Sequence, residues 1–420
     1  MVEYMEQGMI ENSGRVVNRL LNTLFHRDNR FEEIKVRTMT ERVEATGQAY
    51  IESENAWATQ VLQEHGWDPE TLLPLEGTDI KKYVGSAIIL SEDQKAILQE
   101  HIEQINSKRT EEARIPEDAD NVWEVESDPC KVIKVSLDGV GAKRQKDTRP
   151  KEAKDKSPEY VRDEDDGLAD FTRAPDPKGR PKVETAVAHI EVDDKKYLFV
   201  GKNMFMACKF VLAFLLSNNL LKDKQLLFFS DGGIDIRKCV NSIFAFCPHV
   251  VVLDWFHLRK HCYESLSMAL LSGKANRSMQ YEVRRQLFYI LWTGNVDGAI
   301  AYLNSLGPDK VPPTKRKYLN SLIDYLKRNK ERRVIACYAL RSRLGLRISS
   351  NPVEKANDLI VSSRQKGDCM SWSRSGSWGL AAVTCMHLNH EADNFHLHHA
   401  ALHEMYKEYG KVFDLNKKVA

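Results

Sequence analysis

Four acidic residues stand where a chain could use them on a phosphodiester. Asp138 follows the alternating run KVIKVSL and precedes Gly139, Asp231 closes LLFFS ahead of Gly232-Gly233, and Asp254 closes HVVVL. Short β-prone runs that each deliver a carboxylate have no packing reason to end that way. Glu354 lies in SSNPVEKAND, on the first turn of a helix capped by Ser350 or Asn351, with Pro352 at a favoured early position. Carboxylates gathered at one sheet edge can hold two divalent ions about 4 Å apart, which activate a water or a 3′-hydroxyl and stabilise the leaving oxygen of an in-line displacement. Hard oxygen donors suit Mg²⁺, with Mn²⁺ as a substitute. The expected catalytic and metal-holding residues are therefore Asp138, Asp231 and Glu354.

Those residues need elements to position them. Leu226–Ser230, a helix over Ile234–Phe246 and His249–Leu253 read as a parallel β–α–β unit, whose ligands gather outside the carboxyl ends of the strands. Upstream, Lys131–Leu137 reads as a strand, Val183–Val192 and Lys196–Val200 as a hairpin across Asp193-Asp194, and Met204–Leu220 as an apolar helix. Three antiparallel strands followed by two parallel ones, with helices between, is the order of a ribonuclease H-like fold. The expected class is α/β: a ribonuclease H-like mixed sheet with an all-α insertion and a mainly helical N-terminal region. The boundaries read as 1–125 for that region, serving DNA binding or dimerisation, and 126–270 for the first part of the core. A basic helical insertion follows at 271–347, the core is completed at 348–390, and 391–420 is a helical tail. Within the N-terminal region Ser91 is placed to cap a helix over Glu92–Asn106. The tail histidines His390, His396, His398, His399 and His403 have no metal spacing and read as solvated.

Charge supplies the partner. Residues 1–120 carry 13 Lys+Arg against 24 Asp+Glu, so of the totals of 61 and 60 the remainder holds 48 against 36. Between Lys315 and Arg347 there are 11 basic residues against Asp324 and Glu331. A basic body bearing strand-end carboxylates suits a polyanion. Candidate DNA contacts are Lys143, Arg144 and Lys146 in a charged loop after Asp138, Lys327, Arg328, Arg332 and Arg333 in the helical insertion, and Arg364, Lys366 and Arg374 near a Gly/Ser-rich loop. Trp255 reads as core, while Trp372 and Trp378 could also stack on bases. His257 and His261 lie four apart but lack a third metal ligand. The eight cysteines contain no C-x-x-C pair, which argues against structural zinc and fits a reducing compartment. No run approaches a membrane span and no basic-then-apolar leader opens the chain, so a cytoplasmic, nucleoid-associated location is expected.

Four segments in order, LDGVGAKRQK, FFSDGGIDI, VVLDWFHLRKHC and NPVEKANDLIVSSRQKGDCMSWSRSGSWGLA, carry a resemblance over about residues 130–390. The chain resembles the bacterial insertion-sequence DDE transposases of the ribonuclease H-like superfamily, in the broad mutator-like group. In that group a Cys or Asp, two residues and a His follow the second catalytic aspartate. Asp254-Trp255-Phe256-His257 has this form, which favours Asp231 as the metal ligand and gives Asp254 and His257 supporting roles. The resemblance implies Mg²⁺-dependent hydrolysis at transposon ends, strand transfer into double-stranded target DNA, and a homo-oligomer on DNA. A host-serving nuclease of the same fold and a domesticated DNA-binding derivative are the alternatives.

Overall fold

The alternating and apolar runs between residues 132 and 253 pair into one five-stranded mixed sheet, in a computed structural model that describes residues 6, 9–10, 35–85, 90–116, 132–145, 181–222, 224–367 and 370–410. Strands β1 (Val132–Lys143), β2 (Lys182–Val192) and β3 (Lys195–Gly201) form an antiparallel meander. Strands β4 (Gln225–Ser230) and β5 (His249–Leu253) join in parallel on the other side of β1, giving the order β3-β2-β1-β4-β5. The β2–β3 turn falls at Asp193-Asp194 as expected, with Asp193 at φ 55°. From Leu226 on, β4 is wholly buried, as a parallel strand covered on both faces should be.

One strand departs from expectation. β1 does not stop at Asp138 but runs on to Lys143, because β2 stays paired with it from Ile133↔Val192 to Lys143↔Lys182. Its parallel pairing with β4 ends at Ser136↔Phe229. Asp138 therefore sits within a strand, just past the end of its parallel neighbour. Residues 141–143, expected in a charged loop, are strand; residues 146–166 of that loop lie outside the described residues, as does the helix expected over Arg15–Phe25.

Among the described residues the α-helices longer than three residues are α1 (Val36–Glu64), α2 (Glu92–Asn106), α3 (Met204–Ser217), α4 (Ile234–Ile243), α5 (Trp255–Ala269), α6 (Arg277–Leu291), α7 (Val296–Asn304), α8 (Arg316–Glu331), α9 (Tyr338–Arg343), α10 (Asn351–Asn357), α11 (Arg374–Leu388) and α12 (Ala392–His398). Period-two alternation sends β1 side chains to two cores. Ile133, Val135 and Leu137 pack with α3, α4 and the end of α1, while Val132, with Leu227, Phe229 and Val252, packs with α5 to α8. On that second face Val140, Ala142 and Val187 meet Val353, Ala356 and Ile360, which lays α10 across β1 and β2. The Ser91 cap forms as read, with its hydroxyl on the Gln94 N–H and the Gln94 side chain returning to the Ser91 N–H. Helix α1 crosses α11 at Gly47 and Gly379, where a Cβ on Gly47 would lie 2.0 Å from the Gly379 carbonyl oxygen. No helix among the described residues is long and apolar enough to cross a membrane.

Two of the tail histidines, His396 and His403, correct the solvated reading. His403 is buried, with Nε2 3.0 Å from the Glu54 carboxylate and its ring centroid 3.6 Å from that of Trp57. His396 Nε2 lies 2.9 Å from the buried Glu6 carboxylate, which also meets His387 Nε2 at 3.2 Å. Carboxylates from distant segments make these histidines cross-links rather than surface, a relation no local spacing reveals. His390, His398 and His399 are exposed, as expected.

Candidate active site

Register brings three of the four acids to one edge. Continuing Ser136↔Phe229 by two residues and Ser230↔Leu253 by one puts Asp138, Asp231 and Asp254 on a single row across β1, β4 and β5. Helix α10, lying over the same face, adds Glu354. Asp138 and Asp231 are half-buried, Asp254 is fully buried and Glu354 is exposed.

Asp138 is the carboxylate under strain. Its Oδ2 accepts a 2.7 Å hydrogen bond from Asn357 Nδ2 at the end of α10, and its Oδ1 accepts from the Gly139 N–H at 2.8 Å. Burial first, and then the nearby charge of Asp231 with a smaller push from Glu354, raise its pKa to about 6 against the opposing Gly139 N–H and His257. Asp231 is held by a tight turn. Its Oδ1 accepts from the Gly233 N–H at 2.7 Å, while Ser230 Oγ accepts from the Gly232 N–H at 2.9 Å. Gly232 has φ +86°, and a Cβ there would stand 2.9 Å from Leu253 Cδ1, so the turn requires glycine.

Asp254 caps α5. Its Oδ1 accepts from the His257 N–H at 2.8 Å and lies 3.2 Å from His257 Nδ1. Its Oδ2 accepts from the Ser350 N–H at 2.5 Å and from the Ser350 hydroxyl at 3.1 Å. That hydroxyl also lies 3.3 Å from Glu354 Oε1, and His257 Nδ1 lies 3.7 Å from the same oxygen. Asp254, His257 and Glu354 thus present ligand atoms within 4.8 Å of one another. Hydrogen bonds hold the Asp254 pKa down against its burial, and the Asp254 hydrogen bond leads the causes that raise His257. With no exposed surface and its oxygens already engaged, Asp254 fits a positioning role better than a hydrated cation, which keeps several waters. Asp231 and Glu354 are both among the charges that raise Asp138, so three acids on this edge act on one another. Asp358, the other acid one turn on, pairs with Lys355 at 3.6 Å and is exposed.

The basic candidates separate. Lys143, the last residue of β1, and Arg144 just after it lie five and six residues beyond Asp138, roughly 16–20 Å away at the rise of a strand. There Arg144 bridges to Trp372, so neither stands beside the carboxylates. Lys146 lies outside the described residues. Lys327, Arg328, Arg332 and Arg333 are all exposed on or just after α8. Arg364 corrects its assignment as a DNA contact: it is 8% exposed, donates from Nε to the Met9 carbonyl at 2.8 Å and lies over the Trp372 ring. Its guanidinium joins an N-terminal residue to the segment after α10, so it serves packing. Lys366 is exposed and Arg374 half-buried at the start of α11. Trp255 packs against Trp292 and Tyr338. Trp372 and Trp378 spend their indole N–H groups on the Gln365 and Glu184 carbonyls. His261 stacks on Tyr325 at 3.9 Å instead of joining His257.

Asn357 escaped the sequence reading, and Ser350 was read only as a helix cap, whereas its hydroxyl makes no cap bond and reaches Asp254 and Glu354. Both flank Glu354 within SSNPVEKAN, and Asn357, three residues on, shares its helix face, the one local signal that could have pointed to it. Compared with models of known protein families and with curated proteins, the chain matches none.

Proposed function

We propose that this protein is a metal-dependent DNA transposase of the ribonuclease H-like kind, cutting phosphodiesters and joining the freed 3′ end to target DNA. The observation that carries the reading is the single row of Asp138, Asp231 and Asp254 on the strand order β3-β2-β1-β4-β5, with α10 bringing Glu354 over the same face. Asp138, Asp231 and Glu354 would hold the divalent ions, for which Mg²⁺ fits the all-oxygen donors. Bound there, such ions would supply an activated nucleophile and charge stabilisation in the displacement. Asn357 fixes the orientation of the Asp138 carboxylate, the Gly232-Gly233 turn fixes Asp231, and Asp254 holds Ser350 and His257 against Glu354. The exposed basic face of α8 supports a polyanionic substrate.

The test uses labelled duplexes cut from the DNA that flanks the gene on each side, incubated with the full chain and Mg²⁺, Mn²⁺ or EDTA. Metal-dependent nicking and strand transfer should vanish in Asp231→Asn and Glu354→Gln while duplex binding persists. Asp358→Asn should stay active. Nicking that survives in Asp231→Asn, or dies in Asp358→Asn but not in Glu354→Gln, refutes the assignment.

A further inference from the structure

We propose that the exposed face of α5 and α6 binds an unpaired nucleic-acid strand leading away from the carboxylate row, with bases stacked on Phe256 and Tyr263 and phosphates on Arg259, Lys260 and Arg284. This rests on the transposase reading and adds to it a strand-separated substrate, held by residues outside the DNA contacts named above. Asp254 caps α5, so Phe256 stands between the two residues, Asp254 and His257, that reach Ser350 and Glu354. Residues 256, 260, 263 and 267 recur at helical spacing and all four are exposed, Phe256 by 50% and Tyr263 by 51%. At the rise of a helix, Phe256 and Tyr263 lie about 10 Å apart along the stripe, the length of roughly three stacked nucleotides.

Helix α6 completes the face with contacts that alternate cation and ring. The Arg284 guanidinium lies 4.2 Å from the Tyr263 ring centroid, and its Nη2 donates to Ser267 Oγ at 2.9 Å. One turn nearer the site the order inverts, with the Arg259 guanidinium of α5 5.2 Å from the Phe288 ring of α6. Beneath them Trp255 and Phe288 join the two helices, their ring centroids 6.4 Å apart. The helices carry five Lys and Arg against Glu264 and Glu282, and Glu282 is taken by Arg285 at 2.7 Å. No carboxylate pairs with Arg259, Lys260 or Arg284 among the described residues. That combination selects the occupant. An apolar partner would bury three uncompensated cations, and a duplex keeps its base faces within its own stack. An unpaired strand offers base faces and phosphates together, which rings flanked by guanidinium groups match. Phe256, at the end nearest His257, stacks on no other ring among the described residues, which leaves its face to a base.

The experiment is fluorescence anisotropy of a short labelled oligothymidine, alone or paired with its complement, against the full chain in EDTA. The parent should prefer the single strand. F256A and Y263A should each weaken that binding about 10-fold and together about 100-fold, while F256W and Y263F keep it. R259Q/K260Q/R284Q should lower the slope of log affinity against log salt by about 2, at about 0.7 per phosphate of a single strand. A 2-aminopurine placed in the oligothymidine should be quenched by the parent and not by F256A/Y263A, a change that loss of structure elsewhere would not produce at matching melting temperatures. Single-strand affinity unchanged in F256A/Y263A overturns the stacking face and leaves the carboxylate assignment to its own nicking test. If that variant does not fold, an unchanged salt slope in R259Q/K260Q/R284Q overturns the face instead. The face survives, and the transposase reading alone falls, where F256A/Y263A loses the strand but the parent nicks no duplex with Mg²⁺ or Mn²⁺. A parent that prefers duplex, or binds neither form, overturns the face. So does sedimentation without DNA that shows a dimer dissociated by F256A/Y263A, which would assign these rings to a second copy of the chain.

Discussion

Replacing Asp138 by asparagine removes a charge that the folded protein holds at a cost. Folding raises this carboxyl from its ordinary 3.8 to about 6, through burial and the charge of Asp231. For an acid raised on folding, the native state keeps its proton longer, so stability falls as pH climbs from 3.8 to 6 and stays reduced above that window. A shift of about 2 units corresponds to roughly 3 kcal/mol at pH 7.5, and to about half of that at pH 5. Asparagine keeps one acceptor oxygen where the carboxylate serves both Asn357 and Gly139, and losing one hydrogen bond costs about 1 kcal/mol. The net expectation is a gain of about 2 kcal/mol at pH 7.5. Over 420 residues, at about 2.1 cal/mol/K each, that is a rise of roughly 2 °C in melting temperature. Thermal unfolding in EDTA at pH 7.5 and pH 5 measures it, and added Mg²⁺ should raise the parent's midpoint more than the variant's. If Asp138→Asn melts below the parent at pH 7.5, or its advantage is no smaller at pH 5, burial and the charge of Asp231 do not raise this carboxyl on folding.

Two further consequences follow from groups nearby. His189 is 2% exposed on β2, with Nδ1 unpartnered, and burial drives its pKa down to about 4; the unfolded chain therefore takes up its proton first, and stability should fall by roughly 3 kcal/mol as pH drops from 6.5 to 4. Urea titrations should show that dependence missing from His189→Leu, and a variant as acid-sensitive as the parent over that window would show that His189 is not its source. Ser350→Ala removes a hydroxyl shared between Asp254 and Glu354 and should cost about 10–100-fold in metal affinity or nicking rate, with duplex binding unchanged; full activity would mean that Glu354 is held in place by other contacts.

What could be read along the chain was whatever depends on near neighbours. Leu226–Ser230 and His249–Leu253 are apolar over their whole length and stop at a carboxylate, so both strands and both strand-end acids stood out. The Ser91 cap and the Asp193-Asp194 turn are equally local. The extension of β1 past Asp138 was hidden because it depends on β2, some 40 to 60 residues further along, which holds strand pairing through Gly139 and Gly141. Arg364 and His403 were misread for a related reason: arginine and histidine look solvated until a distant carbonyl or carboxylate, here Met9 and Glu54, satisfies them in the interior.

The four acids also show why proximity alone does not identify a metal ligand. Asp254, His257 and Glu354 form the tightest group of ligand-type atoms among the described residues, yet Asp254 is the acid with the least capacity left. Two backbone N–H groups, a hydroxyl and an imidazole already converge on its oxygens, and its pKa is correspondingly low. A carboxylate so satisfied is stable without a cation. Asp138 is the reverse: raised toward neutral pH, flanked by the charge of Asp231 and Glu354, and given only Asn357 and one N–H in return. A cation placed between those three would relieve repulsion, whereas one drawn to Asp254 would have to displace hydrogen bonds that hold β5, α5 and α10 together. One register row thus contains both kinds of acid: Asp254, whose oxygens are already engaged, and Asp138, raised by burial and its neighbours.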